Sequence, residues 1–139
     1  MKDTSKILKE LKLCEDFKTF YRENSDFLVT SSLSEQLLSL MKKHSLRKTD
    51  VIRKSEISEI YAYQIFSGKR IPERKKLLCL CIGMSLKLDE VQLLLKCAGY
   101  SPLYVKLPFD SVIIYGICKN LSVVEINSLL FEYDLETLG

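Results

Sequence analysis

The chemically most pointed residues of this 139-residue chain are its cations, because they are unevenly spread. Residues 41–76 hold eleven Lys/Arg against four Asp/Glu, a net of +7, whereas residues 1–40 carry −1 and residues 77–139 carry −3. A basic block between mildly acidic flanks is suited to gripping a polyanion. A solvated, lysine-rich surface would carry the same charges with no partner. Other chemistries are poorly supplied. His44 is the single imidazole, set beside lysines at a helix end, where it suits capping of carbonyls better than catalysis. There is no G-x-x-x-x-G-K, G-x-G-x-x-G or serine elbow, and Asp89-Glu90 reads as charge at the positive end of a helix. No enzyme activity, catalytic residue or cofactor is expected.

Cys14, Cys79, Cys81, Cys97 and Cys118 each fall within an apolar helical pattern. Two thiols spaced as Cys79-x-Cys81 point to roughly opposite sides of a helix, which is wrong for a metal pair. Buried reduced thiols and no metal site are therefore expected. No apolar run approaches about 18 residues, so no membrane span is expected. Met1-Lys2-Asp3-Thr4-Ser5 lacks the apolar core of a signal peptide, which points to the cytoplasm.

The elements that must carry these residues are helices. The chain is 47% hydrophobic with three prolines and five glycines, and its apolar residues recur at three- and four-residue steps, the pattern of an all-α protein. Ile7, Leu8, Leu11, Cys14, Phe17, Phe20 and Tyr21 give one or two amphipathic helices, interrupted at Asn24-Ser25-Asp26. Ser32-x-x-Glu35 forms a capping box that opens a helix with Leu33, Leu37, Leu40 and Met41 on one stripe, ending near His44-Ser45. Lys48 to Lys54 supports a helix of about two turns. Ser55-Glu56-Ile57 forms a tight connection, and Ser58 caps a helix that turns Ala62, Ile65 and Phe66 inward and stops at Gly68. Pro72 is expected to start the next helix, through Leu77, Leu78, Leu80, Cys81 and Met84. A shift of 35 residues lays Leu78, Ile82, Leu86, Leu88, Glu90, Val91, Leu94, Leu95 and Leu103 on Ile113, Ile117, Leu121, Val123, Glu125, Ile126, Leu129, Leu130 and Leu138. Two stacked α-hairpins result, with duplication and the shared periodicity of amphipathic hairpins accounting for the match equally well.

A short helix, a tight turn with an apolar residue and a second capped helix is the helix-turn-helix arrangement. The pattern Val51-Ile52-x-x-x-Glu56-Ile57-Ser58-x-x-x-Ala62-x-x-Ile65-x-x-Gly68-Lys69-Arg70-x-Pro72 resembles the Cro/phage-repressor (XRE-type) helix-turn-helix family over about residues 33–100. The resemblance implies a five-helix repressor-like domain at 32–104, with an N-terminal helical extension at 1–31 and a C-terminal helical hairpin at 105–139. It places Glu59, Ile60, Tyr63 and Gln64 at base-reading positions. Gln64 would pair with adenine, Glu59 would accept from cytosine N4, Ile60 would touch a thymine methyl and Tyr63 would reach a phosphate or base edge. It places Arg47, Lys48, Ser67, Lys69 and Arg70 on phosphates. Lys42, Lys43, Arg53, Lys54, Arg74, Lys75 and Lys76 would supply general field. The family usually has glycine where Glu56 stands, so this residue either adopts positive φ at a cost of about 1–2 kcal/mol or changes the turn.

The function implied is a sequence-specific, double-stranded DNA-binding transcriptional regulator. It would act as a homodimer on a pseudo-palindrome, joined through the N-terminal helix or the second hairpin. The alternative is a helical protein-interaction module, antitoxin-like or an adaptor, with reduced DNA binding and a protein partner. Glu56, Glu59, Ile60, Tyr61 and Tyr63 support that alternative.

Overall fold

A computed structural model describes residues 3–24 and 32–139, and all regular structure among them is helical. Among the described residues, no helix is long and apolar enough to cross a membrane. The chain divides into two compact units, Met1–Thr30 and Ser31–Gly139.

In the first unit, α1 (Thr4–Leu13) pairs with α2 (Phe17–Asn24). The Asp3 carboxylate accepts from Lys6 N–H at 2.8 Å and caps α1. Asp16 opens α2 by accepting from the Thr19 hydroxyl at 2.8 Å and from Lys18 N–H at 3.2 Å. These bonds, that from Thr19 foremost, hold its carboxyl below the usual range. The two-helix reading of this segment is the one found; the Ser25-Asp26 part of the expected interruption lies outside the described residues.

The second unit contains α3 (Leu33–Lys43), α4 (Lys48–Ser55), α5 (Glu59–Phe66), α6 (Arg74–Gly83), α7 (Leu88–Cys97), α8 (Pro108–Cys118) and α9 (Val123–Glu132). Ser32, Ser58 and Ser122 each accept at their hydroxyl from the N–H three residues on, capping α3, α5 and α9. Pro72 does not begin α6. The helix starts two residues later, because Tyr61 Oη accepts from Glu73 N–H at 3.1 Å and Tyr100 Oη donates to Pro72 C=O at 2.6 Å, which hold this stretch extended.

Helix α6 is the axis of the unit. Leu77 through Gly83 are all buried, as expected of a helix apolar on every side. Helices α4 and α9 pack against it, and α3 and α8 pack against α7. At Gly83 the crossing with α4 is so close that a Cβ would stand 2.8 Å from Ser55 N and 2.9 Å from Val51 O. Ser55 is itself wholly buried, donating to Val51 C=O at 2.6 Å. Cys79 and Cys81 are core residues of α6, and burial pushes both thiols up. No cluster of three or more metal-ligating side chains occurs among the described residues.

The 35-residue shift describes geometry as well as sequence. Helix α7 falls on α9 residue for residue, and the left-handed residues Ser85 and Gly99 fall on Asn120 and Asp134. Glu90 Oε1 accepts from Lys87 N–H at 3.0 Å as Glu125 Oε1 accepts from Ser122 N–H at 3.0 Å. Gln92 Oε1 accepts from Leu103 N–H at 2.7 Å, and Asn127 Oδ1 accepts from Leu138 N–H at 2.8 Å, so the same side-chain clamp closes both hairpins.

Candidate functional site

The surface that the sequence singles out is built around α5. Ser58 Oγ accepts from Tyr61 N–H at 3.2 Å and starts the helix with Glu59 in its first turn. Ala62, Ile65 and Phe66 are buried, as their spacing requires. At the far end Gly68 takes φ 82°, Lys69 N–H reaches Gln64 C=O at 3.0 Å and Gly68 N–H reaches Ile65 C=O at 3.1 Å. This pair of bonds is the Schellman closure, and it sets where Lys69 and Arg70 leave the helix.

The opposite face of α5 is open. Ile60 is 75% exposed and Tyr63 40%, with Glu59 exposed and Gln64 half-buried. Lys48, Ile60, Tyr63, Gln64, Phe66, Ser67 and Lys69 line one shallow groove. Lys48 and Lys69, from the start of α4 and the end of α5, thus border the same surface as Ile60, Tyr63 and Gln64. Arg47 is exposed at the N-cap of α4, where its φ of −100° and ψ of 135° are extended. Lys48 Nζ stands 5.4 Å from the centre of the Phe66 ring, and the Arg70 guanidinium stands 5.1 Å from that of Tyr61. Such cation–π contacts limit where the two charges can swing. Ser67 Oγ donates to Gln64 C=O at 3.1 Å, fastening the hydroxyl to the helix end.

Tyr61 therefore belongs to the scaffold of the site: it positions Arg70 through its ring and the 71–73 stretch through its hydroxyl. Phe66 has a role the sequence did not signal, since its inward position concealed that it also meets Lys48. Its spacing four residues from Ala62 was the only trace.

Glu56, at the turn between α4 and α5, adopts φ 60° and ψ 25°, squarely left-handed. Of the two options open to it, glutamate takes the strained conformation and keeps the turn. The side chain is exposed, so no burial offsets that cost.

The general field of the basic block is smaller than the charge count implies. Arg74 Nη2 donates to Asp110 Oδ2 at 3.3 Å, and Arg74 Nε and Nη2 both donate to Ser101 C=O. Lys75 reaches Glu136 at 2.8 Å, and Lys43 reaches Glu90 at 3.1 Å. These cations fasten helices within the unit, because each faces an acid of the C-terminal half. Contrary to the expectation from its place at a helix end, His44 does not turn its ring to carbonyls. Its Nε2 lies 2.9 Å from Glu90 Oε2, joining α3 to α7. Burial alone would raise the Glu90 carboxyl; hydrogen bonds from His44, Lys87 N–H and Lys43 outweigh it and hold the group at about 2.

No protein-family model matches the chain, and searches of curated proteins and of solved structures return no match.

Proposed function

We propose that the second unit binds double-stranded DNA sequence-specifically as a transcriptional regulator of the XRE helix-turn-helix type, and is not an enzyme. In this reading α3 to α7 form the five-helix domain, α4 props α5, and α5 enters the major groove. The observation that carries it is the composition of the α5 surface. Exposed or half-exposed side chains able to touch base edges lie between cations at the start of α4 and the end of α5. Gln64 would read adenine, Glu59 cytosine N4 and Ile60 a thymine methyl, while Tyr63 reaches phosphate or a base edge. Arg47, Lys48, Ser67, Lys69 and Arg70 would engage phosphates and supply most of the affinity. A homodimer on a pseudo-palindrome would double a contact face that is small in one copy.

Selection of bound duplexes from a random pool, followed by fluorescence anisotropy across salt, tests this proposal. Gln64→Ala should change base preference at one position by about 1–3 kcal/mol. Lys69→Ala and Arg70→Ala should weaken binding to all sequences and each reduce the salt slope by about 1. Ile60, 75% exposed at the centre of the face, favours the second reading of a protein-interaction module with reduced DNA binding. No enriched sequence and a salt slope near zero would replace the DNA reading with that one.

A further inference from the structure

Three helix pairs of the second unit share one local design. In α3–α4, α6–α7 and α8–α9 the first helix ends in a left-handed residue, then a leucine, then an N-cap. These are Ser45-Leu46-Arg47, Ser85-Leu86-Lys87 and Asn120-Leu121-Ser122. The leucine N–H closes each turn by donating to a carbonyl five residues back: Leu46 to Met41, Leu86 to Cys81, Leu121 to Gly116. The pairs also pack on one another by one rule. Helix α4 meets α6 while α3 meets α7, and α6 meets α9 while α7 meets α8. In both cases the first helix of each pair meets the second helix of the other, a pattern that exchange of the two pairs leaves unchanged. It is the contact pattern of a two-fold.

The middle pair is covered on both sides, the last pair on one. Leu77, Leu80 and Leu94 of α6–α7 are fully buried, whereas their counterparts Val112, Tyr115 and Leu129 border an open groove with Tyr133. Tyr115 is 52% exposed where Leu80 is 0%. The charges repeat as well. Glu90 uses Oε1 to cap α7 and offers Oε2 to His44 and Lys43 of α3–α4. Its counterpart Glu125 caps α9 through Ser122 and is exposed, with its carboxyl held below the usual range by those hydrogen bonds. At the C-cap of α8, in the place that His44 occupies at the end of α3, stands Lys119. The α8–α9 pair thus carries both halves of the ion pair that joins α3–α4 to α6–α7.

We propose that the outer face of α8–α9 is a self-complementary interface on which a second copy of this chain docks by its own α8–α9. Lys119 of each copy meets Glu125 of the other, and Val112, Tyr115, Leu129 and Tyr133 form the apolar centre. A second copy is the occupant because Lys119 and Glu125 complement each other across a two-fold, and the pairing rule is built into the pair. The α3–α4 pair, which would otherwise fit, is already packed on α6–α7. The interface would supply the homodimer of the DNA reading, but it is argued from the α8–α9 face alone, and its test contains no DNA.

The test is sedimentation velocity of the full chain from about 1 to 300 µM, the range in which weak dimers form. The native chain is expected to pass from monomer to dimer. Tyr115→Glu should raise the dimer dissociation constant at least about 30-fold, as loss of a central aromatic does. Lys119→Glu, which sets like charges across the dyad, should raise it about 10-fold. Leu13→Glu, on the exposed face of α1 in the other unit, should leave it unchanged. Thermal melts of all three should resemble the native one, and Lys119→Glu decides the matter should Tyr115→Glu fail to fold. A chain that stays monomeric throughout overturns the proposal. So does a dimer that survives both α8 substitutions, or one broken by Leu13→Glu alone.

Discussion

Glu56, at the C-cap of α4, and Gly83, which meets the neighbouring Ser55 where α6 crosses α4, show the two ways in which a Cβ matters to the backbone. Glu56 has a Cβ where left-handed backbone disfavours one, while Gly83 lacks a Cβ where the backbone of α4 leaves no space for it. Glu56→Gly should stabilise the protein by about 0.5–1 kcal/mol, the strain relieved less the entropy that glycine loses on folding. Gly83→Ala should destabilise it by about 3 kcal/mol, since backbone atoms of α4 must yield along with the buried, hydrogen-bonded Ser55 hydroxyl. Urea denaturation of the two variants checks both signs. The sequence identified the first residue, because a familiar turn pattern had glycine there. It gave no hint of the second, because a glycine inside a helical pattern shows its reason only when another helix is laid across it.

Among the elements, the helix limits were largely legible. Ser32, Ser58 and Ser122 cap where their spacing from the apolar stripe places them, and Gly68 ends α5. The start of α6 was not, since the hydroxyls that hold 72–73 extended come from Tyr61 and Tyr100, distant along the chain. The 35-residue repeat was visible as apolar positions only. The equivalent clamps made by Gln92 and Asn127 were invisible to hydropathy, as two polar residues on half-buried positions read like any surface pair. Asn127→Ala should cost about 1 kcal/mol by leaving the Leu138 N–H without its acceptor. Hydrogen exchange should report it as faster exchange at Leu138, while Leu103 keeps its protection.

For the second unit taken whole, the buried carboxylate that joins its two halves contributes most to stability toward acid. Glu90 is held at about 2 against an ordinary 4.5, so its contribution is fully present above about pH 4.5 and is lost as pH falls towards 2. Glu90→Gln should lower stability at neutral pH by about 2 kcal/mol and flatten the acid limb of the stability curve between those values, read by denaturant titrations at stepped pH. Glu136 is lowered too, first by its hydrogen bond from Lys75, but it is exposed, so solvent screens what that pair adds. The sequence by itself determined the helical class, the periodic core and the inward side of α5, because period, caps and breakers act within a few residues of one another. It also located the basic block, but not which of its cations are engaged within the unit. Only the tertiary structure decided that Arg74, Lys75 and Lys43 are drawn to acids of the C-terminal half, that His44 meets Glu90, and that α8–α9 keeps an uncovered face. Each of these is a meeting of residues dozens of positions apart, and only the packing of helix on helix determines which side chains come within reach.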